Sequence, residues 1–177
     1  MAGTIKHIPG HGRAGADSHK ELPTVTASAE ELETDLAPFR TLANAAIGMT
    51  AHVRYTAWDA DLPGTLSTKV VEGIIREHIG FDGLLLSDDL DMEALSGTVP
   101  ERAVRAIAAG CDVALNCWAR MDDMIGIAGG LPALSEKARL RLDRALAPTA
   151  VPADHTARQA DLLARRDALL ALAGAPA

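Results

Sequence analysis

The sequence predicts an α/β fold: a parallel sheet with helices packed outside it, about four β/α units of a (β/α)8 TIM barrel, followed by C-terminal helices. Four short apolar runs, 3–8, 46–53, 83–87 and 111–117, are separated by stretches of helix-forming residues, and such alternation makes successive strands parallel. The runs are almost wholly apolar, as strands covered on both faces are. Polar groups gather where the runs end: Lys6 and His7, His52, Asp88 and Asp89, and Asn116. A barrel builds its active site from those C-terminal strand ends and the loops beyond them. An open doubly wound sheet uses the same ends, so this feature supports a parallel sheet generally and the barrel only weakly.

Between the first two runs, Ser28 followed by Glu31 has the spacing of a capping box, and the stretch to Leu36 consists mostly of helix formers. A second short helix is predicted over 39–45. Ser67 can cap a helix over 68–78, with Val70, Val71, Ile74 and Ile75 on one stripe and Gly80 just past its end. Pro100 lies near the start of a helix over 101–109, which Gly110 closes. Beyond Leu131, two Arg- and Ala-rich amphipathic helices are predicted over 135–146 and 156–172, separated by a Pro-containing loop at 148–152. The expected organisation is a half-barrel over 1–130 and a helical extension over 131–177. A whole barrel needs about 250 residues, so four units leave an upstream half to be expected.

The chain has 177 residues, 48% hydrophobic and 23% charged, the composition of an ordinary globular protein. A net charge of −7 gives no reason to expect nucleic acid or an anionic membrane surface as partner, because phosphate binding relies on clustered Lys and Arg. A neutral or weakly charged small molecule fits better. Aromatic residues make up only 3%, so any sugar-stacking platform must come from Trp58 or Trp118, although most such tryptophans are partly buried in packing. Cys111 and Cys117 share the fourth run, roughly 20 Å apart if it is a strand, so they cannot pair with each other. Unpaired thiols, a polar Gly-rich start and no apolar run of membrane-spanning length suggest a cytoplasmic protein.

The chemistry is concentrated in Lys6-His7-Ile8-Pro9-Gly10-His11-Gly12, then Asp17-Ser18-His19 and Leu22-Pro23. Further linked motifs follow in order: Pro38-Phe39, Thr50-Ala51-His52-Val53 with Tyr55, Thr65-Leu66-Ser67, Gly80-Phe81-Asp82-Gly83, and Ser87-Asp88-Asp89-Leu90 with Met92. Together these resemble the bacterial β-N-acetylglucosaminidases of glycoside hydrolase family 3, over roughly residues 4–116. The resemblance implies that the chain is the C-terminal half of that family's barrel. Two positions depart from the usual pattern. His11-Gly12-Arg13-Ala14 stands where many members carry GHGDT, and Gly64 where Ala is commoner.

By this resemblance Asp88 is the catalytic nucleophile, which suits a carboxylate just past an apolar strand. His19 is the general acid/base and Asp17 its partner. In an extended loop residues i and i+2 project the same way, so Asp17 can reach the imidazole and orient it. Taken alone, Asp17 and His19 read more readily as an ordinary exposed turn. Lys6 and His7 match residues that hold the N-acetylglucosamine ring, and a buried Lys6 would need a carboxylate such as Asp88 nearby. His11 and His52 read better as structural histidines. The resemblance implies a retaining, exo-acting hydrolase that removes terminal β-linked N-acetylglucosamine from peptidoglycan fragments and needs no cofactor or metal. Two rivals differ in class. His7, His11, His19, His52 and Asp88 could form a metal-dependent barrel hydrolase, although no HxH or HExxH spacing occurs. Alternatively, the chain has no activity of its own, being a truncated fragment or a half-barrel that needs a partner chain, with self-association expected through its open barrel edges.

Overall fold

A computed structural model describes residues 3–147 and 156–173. Strands β1 (Thr4–Ile8), β3 (Ile47–Thr50) and β5 (Leu84–Leu86) form a parallel sheet in the order β1-β3-β5. Two short strands, β2 (Thr24–Val25) and β4 (Arg54–Tyr55), form a separate parallel pair. Each strand of the main sheet is added on the same side as its predecessor. That is how a barrel wall grows; a doubly wound sheet reverses direction at a switch point. The sheet and its helices thus have the arrangement of consecutive β/α units in a barrel wall.

The fourth run, expected as a strand over 111–117, is instead a bridge of one residue, Val113 pairing with Leu86 in parallel. Side chains occupy ladder positions there. The Asp112 carboxylate accepts the Leu85 N–H at 2.9 Å, and the Ser87 hydroxyl accepts the Leu115 N–H at 2.9 Å. The run still follows β5, because the Ser87 N–H reaches Val113 C=O and the Leu90 N–H reaches Leu115 C=O, both at 2.9 Å. Run 46–53 is also shorter than expected, with β3 ending at Thr50 before β4 begins.

Helix α1 (Ala29–Thr41) begins with the expected capping box, Ser28 and Glu31 each bonding the other's backbone. It continues through Pro38, so the separate helix predicted over 39–45 does not form. Leu36 and Phe39 pack into the same core cluster and hold the turns on either side of the proline, overriding its local penalty. The helix Lys69–His78 is π-wound, its last hydrogen bond running from Ile79 N–H to Ile74 C=O. Ser67 accepts the Val70 N–H at 3.3 Å, as its capping position suggested. Helix α2 (Val99–Ala109) carries Pro100 in its first turn and ends at Gly110, φ 114°. Only a residue at ease in the left-handed region suits that position.

Helix α3 (Met121–Gly130) has no counterpart among the expected helices, since its three glycines are poor helix formers. Two of them permit close packing instead: a Cβ on Gly126 would lie 2.6 Å from Pro100, and one on Gly130 3.2 Å from Val104. Helix α4 (Glu136–Leu146) is capped by Ser135. The Pro-containing loop predicted at 148–152 lies outside the described residues.

The chain divides into two compact units, Met1–Ala147 and Pro148–Ala177. Of the second, α5 (Thr156–Ala173) is described, and it is helical as predicted. The core of the first unit lies between the sheet and its helices, where Ile8, Leu36, Val71, Ile75, Phe81 and Leu85 are buried together. Gly48 makes room for it, since a Cβ there would come within 2.7 Å of Ile8 and 2.8 Å of Phe81. Residues of alternate register, Met49 and Leu86, face away from those helices and are only partly buried. Cys111 is buried and Cys117 exposed, both free thiols. Among the described residues no helix is long and apolar enough to cross a membrane.

Candidate active site

Asp88 follows β5 at the end where the site was expected, and only 8% of it is exposed. Its carboxylate is held from two sides. Oδ1 accepts the Asp89 N–H at 2.9 Å, while Oδ2 lies 3.7 Å from His7 Nε2. Its backbone is fixed as well, the Asp88 N–H donating to Thr50 Oγ1 at 3.2 Å. From there a chain of hydroxyls runs inward. Thr50 Oγ1 lies 2.8 Å from Thr65 Oγ1, Thr65 Oγ1 lies 2.7 Å from His52 Nδ1, and His52 Nε2 reaches the Asp89 carbonyl at 2.9 Å.

That last contact sets the proton on His52, because a carbonyl only accepts and Nε2 must therefore donate. Nδ1 is left to accept from Thr65, and the imidazole is neutral. Burial depresses its basicity and outweighs the pull of the nearby Asp88 and Asp89 carboxylates. His52 is thus a satisfied structural histidine whose hydrogen-bond circuit closes on the Asp88–Asp89 backbone.

His7 is half-buried, and its pKa lies below the usual imidazole range. Burial is the main cause and Asp88 opposes it, while the charges of Lys6, His11 and His19 add to the lowering. The ring meets His11 edge-on, centroids 5.8 Å apart. Lys6 is exposed, so it needs no buried carboxylate; the Asp88 contact anticipated for it is made by His7 instead.

Asp17 and His19 form the expected dyad on an exposed loop. Asp17 Oδ1 accepts from His19 Nδ1 at 2.8 Å and from the His19 backbone N–H at 3.0 Å. The backbone bond, followed by the imidazole, holds the Asp17 carboxyl below its ordinary pKa. With Nδ1 committed as donor, Nε2 is the ring position left to exchange a proton. His19 makes no ion pair with Asp88. Its loop is nevertheless tied to the segment beyond Asp88, since the Glu93 N–H donates to the His19 carbonyl at 3.3 Å. Within the loop, His11 Nε2 bonds Ser18 Oγ at 3.0 Å. At the unusual tip, Arg13 pairs with Asp35 and reaches the Glu31 carbonyl, fastening the loop to α1.

Sequence reasoning missed Thr50 and Thr65. The available signal was a hydroxyl inside the apolar run 46–53, at Thr50, and another opening the Thr65-Leu66-Ser67 motif. Among the described residues, no three His, Cys, Asp or Glu side chains converge closely enough to hold a metal ion. Trp58 packs on Tyr55, ring centroids 5.1 Å apart, whereas Trp118 is 65% exposed.

The family model described as the glycosyl hydrolase family 3 N-terminal domain matches residues 1–145. The chain is 49% identical to a beta-hexosaminidase of Tolumonas auensis over 124 residues, 66% of this chain and 36% of that protein. A beta-hexosaminidase of Thiobacillus denitrificans is 37% identical over 177 residues, covering 92% of this chain and 48% of its own length. Among solved structures, NagZ from Neisseria gonorrhoeae in complex with N-trifluoroacetyl-D-glucosamine superposes with a TM-score of 0.71 at 37% identity, covering 82% of this chain and 42% of that one. The chain thus spans about a third of the length of the first of these relatives. With the matched model covering most of the chain, and the parallel strands and helices superposing on solved members, this protein belongs to glycoside hydrolase family 3 and comprises part of that family's N-terminal barrel domain.

Proposed function

We propose that the chain supplies the C-terminal half of a family 3 barrel, carrying the nucleophile and the acid/base of a retaining, exo-acting β-N-acetylglucosaminidase. Its substrates are peptidoglycan fragments ending in β-linked N-acetylglucosamine, and hydrolysis requires the N-terminal half. The observation that carries this reading is the pairing of a nearly buried carboxylate, Asp88, with a separate Asp17–His19 dyad tethered to the segment that follows it. The relative that binds N-trifluoroacetyl-D-glucosamine supports the sugar class. Two free thiols fit a reducing cytoplasm.

In the first step Asp88 Oδ2, the oxygen not occupied by the Asp89 N–H, attacks the anomeric carbon. The glycosidic C–O bond breaks as His19 Nε2–H protonates the departing oxygen, leaving a covalent glycosyl-enzyme. His19 Nε2 then takes a proton from water, whose oxygen displaces Asp88 with net retention. Asp17 keeps the proton on Nδ1 throughout, so that Nε2 carries the exchange. Lys6 and His7 donate to ring hydroxyls, and a neutral His7 does so without adding charge beside Asp88.

In a protein whose barrel is completed by the upstream half, Asp88→Ala lowers kcat at least about a thousandfold, because the covalent route loses its nucleophile. A 2-fluoro or 5-fluoro glycosyl inactivator labels the peptide containing Asp88. Near-normal turnover in the variant, or labelling of another peptide, rejects the assignment.

A further inference from the structure

We propose that Trp118 is the platform on which the leaving-group sugar stacks, a subsite beyond the cleaved bond; this rests on the glycosidase reading above. Trp118 is 65% exposed, although aromatic residues are scarce in this chain and its other tryptophan is partly buried against the core. The Arg120 guanidinium stacks on the ring, 4.7 Å from its centroid, which steadies it, while most of the residue stays exposed. Pyranose C–H groups carry partial positive charge and match the negative face of an aromatic ring.

The backbone that carries the ring is fixed by the same segment that carries Asp88. The Cys117 N–H donates to Asp89 Oδ1 at 3.0 Å, and the Trp118 N–H donates to Asp91 Oδ2 at 3.1 Å. The next residue is fixed too: the Ala119 N–H donates to Asn116 Oδ1 at 2.7 Å, and Ala119 has φ 50°, a left-handed conformation that alanine rarely adopts. The platform and the carboxylate therefore share one framework at the C-terminal strand ends. A stacking contact recognises a ring face without reading hydroxyls, which suits a leaving-group sugar whose hydroxyls are substituted.

The test compares two substrates of the barrel-completed protein. N,N′-diacetylchitobiose has a sugar leaving group, and 2-acetamido-2-deoxy-β-D-glucosyl fluoride has none. W118A raises KM for the disaccharide about tenfold, the equivalent of one good aromatic contact, and leaves KM for the fluoride unchanged. W118F, which keeps an aromatic face, shows a smaller rise. KM does not depend on the fraction of folded enzyme, so a loss of stability cannot imitate this pattern. An active parent whose W118A variant changes KM for neither substrate, or for both equally, overturns the subsite alone. A parent that hydrolyses neither substrate overturns the glycosidase reading and the subsite with it.

Discussion

His52 is bound at both ring nitrogens, and the hydroxyl it depends on, that of Thr65, is also the partner of Thr50 beneath Asp88. Thr65→Val keeps the shape of the side chain and removes that hydroxyl, leaving His52 Nδ1 without a donor and the Thr50 hydroxyl with only the Asp88 N–H. The expected cost is about 1–3 kcal/mol, measured by urea denaturation, with recovery in Thr65→Ser. His52 also gives stability a pH dependence. Its folded pKa is depressed, so its contribution is fully present above the unfolded value of 6.5 and is lost as pH falls toward the folded one. His52→Gln flattens the stability profile in that window, read as denaturation midpoint against pH. For His19 the expectation concerns protons in flight. His19→Ala in the completed barrel slows substrates with poor leaving groups about a hundredfold or more and activated aryl glycosides much less, because a good leaving group needs little protonation. Equal losses on both would make His19 a positioning residue only. Asp88, His19 and Asp17 could be picked out as candidates from sequence because their motifs are contiguous. The threonine circuit could not, since its members are 15 and 13 residues apart and meet only through the fold.

Helix α4 is fastened to the sheet by charge. Arg141 is buried and bonds Asp112 Oδ1 at 3.0 Å and Asp82 Oδ1 at 2.7 Å, while Asp112 is also held by Arg76 at 2.8 Å. Arg141→Met removes one partner from a buried network and lowers stability by about 3 kcal/mol in urea denaturation. Arg141 and Arg144 hold the Asp82 carboxyl down to about 2 from 3.8. A depressed acid contributes stability above its unfolded pKa and loses it as pH falls through the folded value. Between about pH 4 and 2 the wild type therefore loses stability that Asp82→Asn never had; a difference between the two that stays constant across that window would contradict the role. Elements set by local chemistry were legible in the sequence: the Ser28 capping box and the Gly110 stop both stand where expected. Elements set by tertiary contacts were not. Pro38 stays inside α1 because the core grips both neighbouring turns, α3 forms despite three glycines because two of them, Gly126 and Gly130, let it approach Pro100 and Val104, and run 111–117 becomes a single bridge because Asp112 and Ser87 replace ladder bonds.

At the scale of the molecule the sheet has open sides. Among the described residues β1 has a single strand neighbour, β3, and the run at Val113 pairs only with β5. A barrel has no edges, so both lines of unpaired backbone groups would be occupied in a closed domain. The sheet face turned away from the helices carries Met49, Leu86, Val113 and Leu115, all only partly buried, where a closed barrel fills its interior with side chains. Open edges and an uncovered apolar face both favour association. Expressed as these 177 residues alone, the chain is therefore expected to self-associate or aggregate and to show no measurable hexosaminidase activity, even though Asp88, Asp17 and His19 are all present. Sedimentation velocity combined with a chromogenic N-acetylglucosaminide assay checks both halves of this prediction. Co-expression with the upstream half of a relative's barrel domain should yield a one-to-one complex and restore turnover, because that half closes both edges and covers the inner face. A monomeric, active chain would show instead that the exposed face needs no cover and that the catalytic groups act without the rest of the barrel.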